Sequence, residues 1–314
     1  MTSQTMTQQT MASQIATSQT VTSQTVTQQT MTSQTDGIAH VTLREKLDES
    51  LSVVREMLGK RKPTIGIILG SGLGPLANFV DDAVKIAYKD IPFMKTSTAS
   101  SHVGQFVCGT LAGKCVLVMQ GRLHGYEGYS SQEVAYPVWL MHCLGIDTLI
   151  TTNAAGAINE AYQVGDFCLM SDHINFTGRN PVVGIEPMEI APRFVPMAHA
   201  YDWDLRTLAK QVAADLHIRL QEGVYLGLLG PSFETAAEIR MFRAWGADTV
   251  AMSVCEEVIA ARHVGMRVLG MSLVSNMACG VQGADPNDDE VIEVAHTREE
   301  AFCDLVTEIV RRMD

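Results

Sequence analysis

Residues 64–74 read TIGIILGSGLG, and the change of character inside this stretch decides the fold class. TIGIIL, directly after Pro63, is a short apolar run that predicts a buried strand. GSGLG (70–74) then ends it. Glycines at a strand end let backbone N–H groups approach an anion, and the Ser71 hydroxyl adds a donor. The spacing G-x-G-x-G is neither the dinucleotide fingerprint nor a P-loop, which needs a Lys. Taken alone, it reads equally as a tight turn or a phosphate loop.

Working outward, the same strand-then-break pattern recurs. FVCGTL, KCVLVM, DTLITT, DFCLMSDHI, GVYLGLLG, DTVAM and RVLGMSLV are further strand candidates. Helical periodicity lies between several of them, at about 131–144, 202–216, 234–245, 256–265 and 289–312. Upstream, Leu43, Leu47, Leu51, Val54 and Leu58 recur at three- and four-residue steps, an amphipathic helix ending near Gly59. Strands alternating with helices predict an α/β fold with a mostly parallel, helix-covered sheet. The segment 37–314 reads as a single domain. Residues 1–35 are a degenerate pentapeptide array (MTSQT, MTQQT, MASQI and so on) with no charged or aromatic side chain before Asp36. Thr, Gln and Ser bury too little apolar surface to offset chain entropy, so 1–36 is expected to be a disordered tail.

Composition narrows the chemistry. The chain has 314 residues and a formal net charge of −12, which gives no broad attraction for nucleic acid or anionic lipid. Its seven cysteines are scattered and form no CxxC pair, which argues for reduced thiols in the cytosol and against a zinc site. The apolar runs are too short to span a bilayer.

Five more segments follow predicted strands. In GRLHGYEGYS (121–130), Arg122 and His124 alternate and would point the same way, a plausible anion clamp. TTNAAGAIN (151–159) reads as a small-residue turn on which a ligand could rest, with close strand–helix packing as the plainer explanation. GPSFETAAEI (230–239) places Glu234 near the first turn of a helix. AMSVCEEV (251–258) puts Ser253 at a helix start, and SLVSNM (272–277) puts Asn276 at a strand end. All six lie at the carboxyl ends of predicted strands, where open α/β sheets bind ligands. Small loops, Arg, His, Ser, one Glu and one Asn suit an anion bound beside a polar heterocycle.

From about residue 63 to 312 the chain resembles the trimeric, low-molecular-mass purine nucleoside phosphorylases of the purine nucleoside/methylthioadenosine phosphorylase family. GSGLG, GRLHGYEGY, QEVAYPV, TNAAGAIN, DHINFTGRNP, GPSFETAAEIR and the Met-Ser of AMSVCEEV stand in that family's order. The resemblance implies a twisted mixed sheet partly closed into a barrel, flanked by helices, and a cytoplasmic homotrimer. It implies phosphate-dependent cleavage of the glycosidic bond of 6-oxopurine nucleosides, with inorganic phosphate as co-substrate and no metal or organic cofactor. It places phosphate on Ser71, His102, Arg122, His124, the Ala154 backbone and Ser253. Tyr126 and Met252 would touch ribose, and Phe233, Glu234 and Asn276 would hold the purine. Glu234, Asn276 and His124 would be the catalytic groups.

Three departures fall near the sugar. Val254, Cys255, Glu256 and Glu257 stand where the family usually has Thr-Val-Pro-Glu, which brings an extra acid toward phosphate and sugar. Asp288 stands where a His commonly meets the ribose 5′-hydroxyl, His296 being eight residues further on. Ile190 falls where a neighbouring subunit lends an aromatic ring, with Phe194 nearby. The rivals are a methylthioadenosine phosphorylase, against which Glu234 and Asn276 argue, and a non-catalytic nucleoside-binding homologue, which turnover would exclude.

Overall fold

The computed structural model describes residues 41–99 and 102–314. The predicted tail therefore lies outside the described residues. Strand β1 (Ile65–Leu69) is buried at every position, as its sequence requires. It pairs in parallel with β4 (Lys114–Gln120) on one side and β5 (Thr148–Ala157) on the other. On the β4 side, β3 (Gln105–Leu111) and β2 (Asp81–Ala87) continue the sheet antiparallel. On the β5 side come β6 (Phe167–Asn175), β7 (Leu220–Gly227), β8 (Thr249–Ala251) and β9 (Arg267–Met277), in the order β5-β8-β7-β6-β9. β9 also pairs with β5, so these five strands close a barrel. The sheet is mixed rather than mostly parallel, as the family resemblance implies.

Helices cover both faces. α1 (Leu43–Leu58) starts with a reciprocal capping box between Thr42 and Glu45 and stops at Gly59, φ 61°. It buries Leu43, Leu47, Val54 and Leu58, and with α2 (Ser131–Cys143) and α5 (Cys255–His263) it shares one core that includes Trp139. α3 (Trp203–Asp215) and α7 (Glu299–Arg312) build a second core, with Leu205, Phe302, Leu305 and Ile309 facing inward. α4 (Ala236–Ala244) follows β7, and α6 (Asp288–Thr297) precedes α7.

Three expectations change. β2 is absent from the sequence reading because DDAVKIA is an edge strand whose one fully buried side chain is Ile86. The long terminal helix is two helices, broken at Arg298 (φ −107°, ψ 5°). Most consequentially, TTNAAGA is not a turn but the second half of β5, paired residue by residue with β9. Its small residues stand where neighbouring groups approach closely. A Cβ on Gly156 would sit 3.0 Å from Asn276 Nδ2, and one on Gly70 would sit 2.6 Å from Asn153 Cα.

Candidate active site

The carboxyl ends of these strands surround a cavity of about 340 Å³. Ser71, Arg122, His124, Tyr126, Ala154, Phe233, Glu234, Met252, Ser253 and Asn276 all line it. Ten of the twelve expected site residues, from six separate segments, thus meet in one place.

Ser71 reaches the cavity because its neighbouring glycines pack tightly. Gly70 lies against the β5 backbone, and Gly72 (φ +73°) leaves no room for a side chain beside Ala295 of α6. Ser253 follows β8 and precedes Val254, a β-branched residue held at φ 72°. That conformation is costly, of order 1–3 kcal/mol, and aims the chain into α5. The Tyr225 hydroxyl fixes the turn by donating to the Ser253 carbonyl at 2.8 Å.

Arg122 is 1% exposed, and most of its guanidinium is already committed. Nε and Nη2 donate to the two Glu257 carboxylate oxygens at 2.9 and 2.8 Å. Nη2 also donates to Thr151 Oγ1 at 2.8 Å, and Nη1 to the Thr152 carbonyl at 2.6 Å. The remaining contact, Nη1 to Ser253 Oγ, is long at 3.4 Å. Arg122 therefore presents a single weakly engaged N–H toward an anion, and Glu257 balances its charge. The clamp read from the sequence is a buried ion pair with one free edge.

His124 is held by Glu127, which sequence reading overlooked although it lies inside GRLHGYEGYS. Glu127 Oε1 accepts from the His124 backbone N–H at 2.7 Å and lies 3.1 Å from its Nδ1. Its Oε2 takes the Thr98 backbone N–H and hydroxyl. Burial raises the Glu127 carboxyl, but the hydrogen bonds from His124 and Thr98 outweigh it and bring the group down to about 2. The carboxylate thus fixes the Nδ1–H tautomer of His124 and leaves Nε2 for a ligand. Burial pushes the imidazole below its ordinary range, against the opposing pull of Glu127. The spacing of an acid three residues after His124 at a turn was the available signal.

Glu234 comes just before the cap residue Thr235 of α4, not inside the helix. It is 9% exposed, and burial raises its carboxyl above the usual range. Asn276 is oriented by its neighbours: Ser275 donates to Oδ1 at 2.8 Å, and Nδ2 donates to the Met277 carbonyl at 3.0 Å. One N–H and one lone pair of the amide remain for a ligand.

One expected residue, His102, does not reach the wall. His102 stacks behind His124 with ring centroids 5.1 Å apart, and His124 stacks in turn on Tyr126 at 4.5 Å. His102 Nδ1 meets the Arg122 backbone, so it supports the loop and does not line the cavity. Asp288 is the first residue of α6, and Val291, in the same first turn, borders the cavity. Two of the departures, Glu256 and Ile190, have described surroundings. Glu256 is not among the residues lining the cavity and pairs with Arg179 at 3.0 Å. Ile190 packs, partly buried, against the core of α1 and α2, while Phe194 is 89% exposed. Among the described residues no cluster of His, Cys, Asp or Glu is arranged for a metal, and no helix is long and apolar enough to cross a membrane.

An α/β barrel-sheet with serine donors beside a Glu–Asn pair at its strand ends defines a class: a site for an anion next to a polar heterocycle. Residues 64–311 match the family model described as "Phosphorylase superfamily". The chain is 45% identical over 272 residues to purine nucleoside phosphorylase 1 of Bacillus subtilis (strain 168), covering 87% of this chain and 100% of that protein. It is 48% identical to purine nucleoside phosphorylase 1 of Geobacillus stearothermophilus, covering 86% and 98%. Crystal structures of Schistosoma mansoni purine nucleoside phosphorylase with adenosine and with inosine superpose with TM-score 0.81. They are 39% and 38% identical to this chain, covering 86% of it and 98% and 97% of the solved chains. The chain belongs to the phosphorylase superfamily, among the purine nucleoside phosphorylases.

Proposed function

We propose that this cavity catalyses phosphorolysis of 6-oxopurine nucleosides such as inosine and guanosine, yielding free base and the pentose 1-phosphate. The observation that carries the reading is that Glu234 and Asn276 line the same cavity as the hydroxyl-bearing Ser71 and Ser253.

Cleaving the glycosidic bond leaves positive charge on the sugar and negative charge on the purine. Phosphate beneath the sugar stabilises the oxocarbenium-like centre and then bonds to it. The bonding electrons leave with the base. In our reading the Ser71 and Ser253 hydroxyls, the free Arg122 N–H, the Ala154 backbone and His124 Nε2 hold that phosphate. Asn276 donates to O6 and accepts from N7 as that nitrogen gains a proton, and Glu234 accepts from N1–H. These contacts strengthen as charge reaches the base, so they lower the barrier rather than only tightening binding. Phe233, Met252 and Tyr126 supply the apolar surface around base and sugar.

Inorganic phosphate is the second substrate, and the chemistry calls on no organic cofactor. A homotrimer and a cytoplasmic location belong to the same proposal. The exposed apolar side chains Val183, Ile185 and Phe194 support self-association. Incubation with inosine and phosphate, followed by 31P NMR, should show ribose 1-phosphate growing in step with hypoxanthine. Free ribose with unchanged phosphate would instead indicate a hydrolase.

A further inference from the structure

The acid at position 256 has a partner whose placement gives it a role. Arg179 sits in the segment after β6, where Asn175 binds its carbonyl (2.9 Å) and Thr177 its N–H (3.0 Å). Its guanidinium reaches across to the turn after β4. Nη2 donates to the Tyr129 carbonyl at 2.5 Å, and Nη1 to the Gly125 carbonyl at 3.3 Å. The contact is intimate, because a Cβ on Gly125 would lie 2.8 Å from Nη1. Behind it, Glu256 Oε1 lies 3.0 Å from Nε, and the Glu256 side chain is 5% exposed. That N–H is not aimed along the line to the oxygen, so the contact is Coulombic. Burial raises the Glu256 carboxyl, and the Arg179 charge opposes it.

The first turn of α5 therefore carries two buried acids with two duties. Glu257 holds Arg122 at the start of the turn, and Glu256 holds Arg179, which grips the same turn at Gly125 and Tyr129. Between these anchors stand His124 and Tyr126, both on the cavity wall.

We propose that Arg179, with Glu256 as its counter-charge, is a positioning residue that sets the His124–Tyr126 turn against the bound nucleoside. Its catalytic consequence rests on the phosphorylase reading above; the brace itself does not. A misplacement of about 1 Å in a positioning element costs on the order of 100-fold. Arg179→Met leaves Glu256 buried without a partner, so the decisive variant is the neutral pair Arg179→Met/Glu256→Gln.

Two measurements test it. Amide hydrogen exchange across residues 121–130, which needs no turnover, should quicken at least about tenfold in the double variant. With inosine and phosphate, the nucleoside KM should rise about tenfold or more, while the inosine-to-adenosine preference stays within about twofold because Glu234 and Asn276 stand on other elements. Unchanged exchange would overturn the brace, whatever the activity. Faster exchange with a wild-type KM, or a loss of kcat alone, would overturn its positioning role. A wild-type enzyme inactive on inosine would instead count against the phosphorylase reading, with the exchange result still deciding the brace.

Discussion

At the scale of single residues, the proposed base-recognising pair, Glu234 and Asn276, makes the sharpest statement. A 6-oxopurine offers an acceptor at O6 and a donor at N1, and a 6-aminopurine reverses both. An ionised Glu234 can only accept, so it matches N1–H and opposes the bare N1 of adenine. Asn276→Asp should narrow the inosine-to-adenosine gap in kcat/KM by roughly tenfold, because a protonated carboxyl can still donate while accepting from N6–H. A gap that stays the same or widens would remove Asn276 from base selection. Arg122 carries a different expectation. Arg122→Ala should cost about 3–5 kcal/mol of folding stability, since Glu257 would be left buried and unpaired. The denaturant midpoint reads this directly, and Arg122→Lys should recover part of it while raising the phosphate KM. The side chains on the wall were legible in the sequence because each lies in or beyond the carboxyl end of a strand. Their partners were not. Arg122 and Glu257 are 135 positions apart, and no local pattern announces that the arginine's donors are already taken.

At the scale of elements, β5 teaches most. Its second half, NAAGA, has the composition of a turn, yet it is a strand because small residues let β9 pair on one side while Gly70 and β8 come close on the other. Gly70→Ala should therefore damage stability and phosphate binding together. The added Cβ meets the backbone of Asn153, which cannot step aside, and forces β1 from β5 beside Ser71. A loss of about 1–3 kcal/mol is expected, with a raised phosphate KM. Wild-type stability in a melting experiment would show that the two strands are less constrained than the packing implies. Glu127→Gln tests the turn after β4. A neutral amide no longer fixes the His124 tautomer, so kcat should fall about 10- to 100-fold, and the melting temperature should fall with it because the hydrogen bonds favour the ionised carboxylate. An unaltered kcat would leave Glu127 a purely structural cap. The buried strands β1, β4 and β9 were readable as apolar runs, whereas edge strand β2 was hidden by its charges and solvent-facing side chains. The break at Arg298 was invisible because the residues on both sides keep helical periodicity.

At the scale of the molecule, 41–314 forms one compact unit whose buried histidines tie stability to pH. Burial, followed by the nearby His124 and Arg122 charges, brings His102 down to about 4 from an ordinary value near 6.5. The folded chain therefore binds fewer protons than the unfolded chain between those values. The resulting stability is complete above about pH 6.5 and is lost as pH falls toward 4. Glu127, held at about 2, adds a loss of the same sign at still lower pH. Calorimetry should show the melting temperature falling from pH 7 to 4, with a shallower slope in His102→Gln; a flat profile would contradict the burial of these groups. Removal of residues 1–36 should leave turnover and melting temperature nearly unchanged, given their Thr/Gln/Ser repeats. All these scales converge on one function, and the most direct measurement is the ratio of kcat/KM for inosine to that for adenosine at saturating phosphate. Two mismatched polar contacts, each about 1–3 kcal/mol, predict a ratio on the order of 100 or more, with no base released when phosphate is omitted. Equal efficiency on the two nucleosides, or base release without phosphate, would contradict the account.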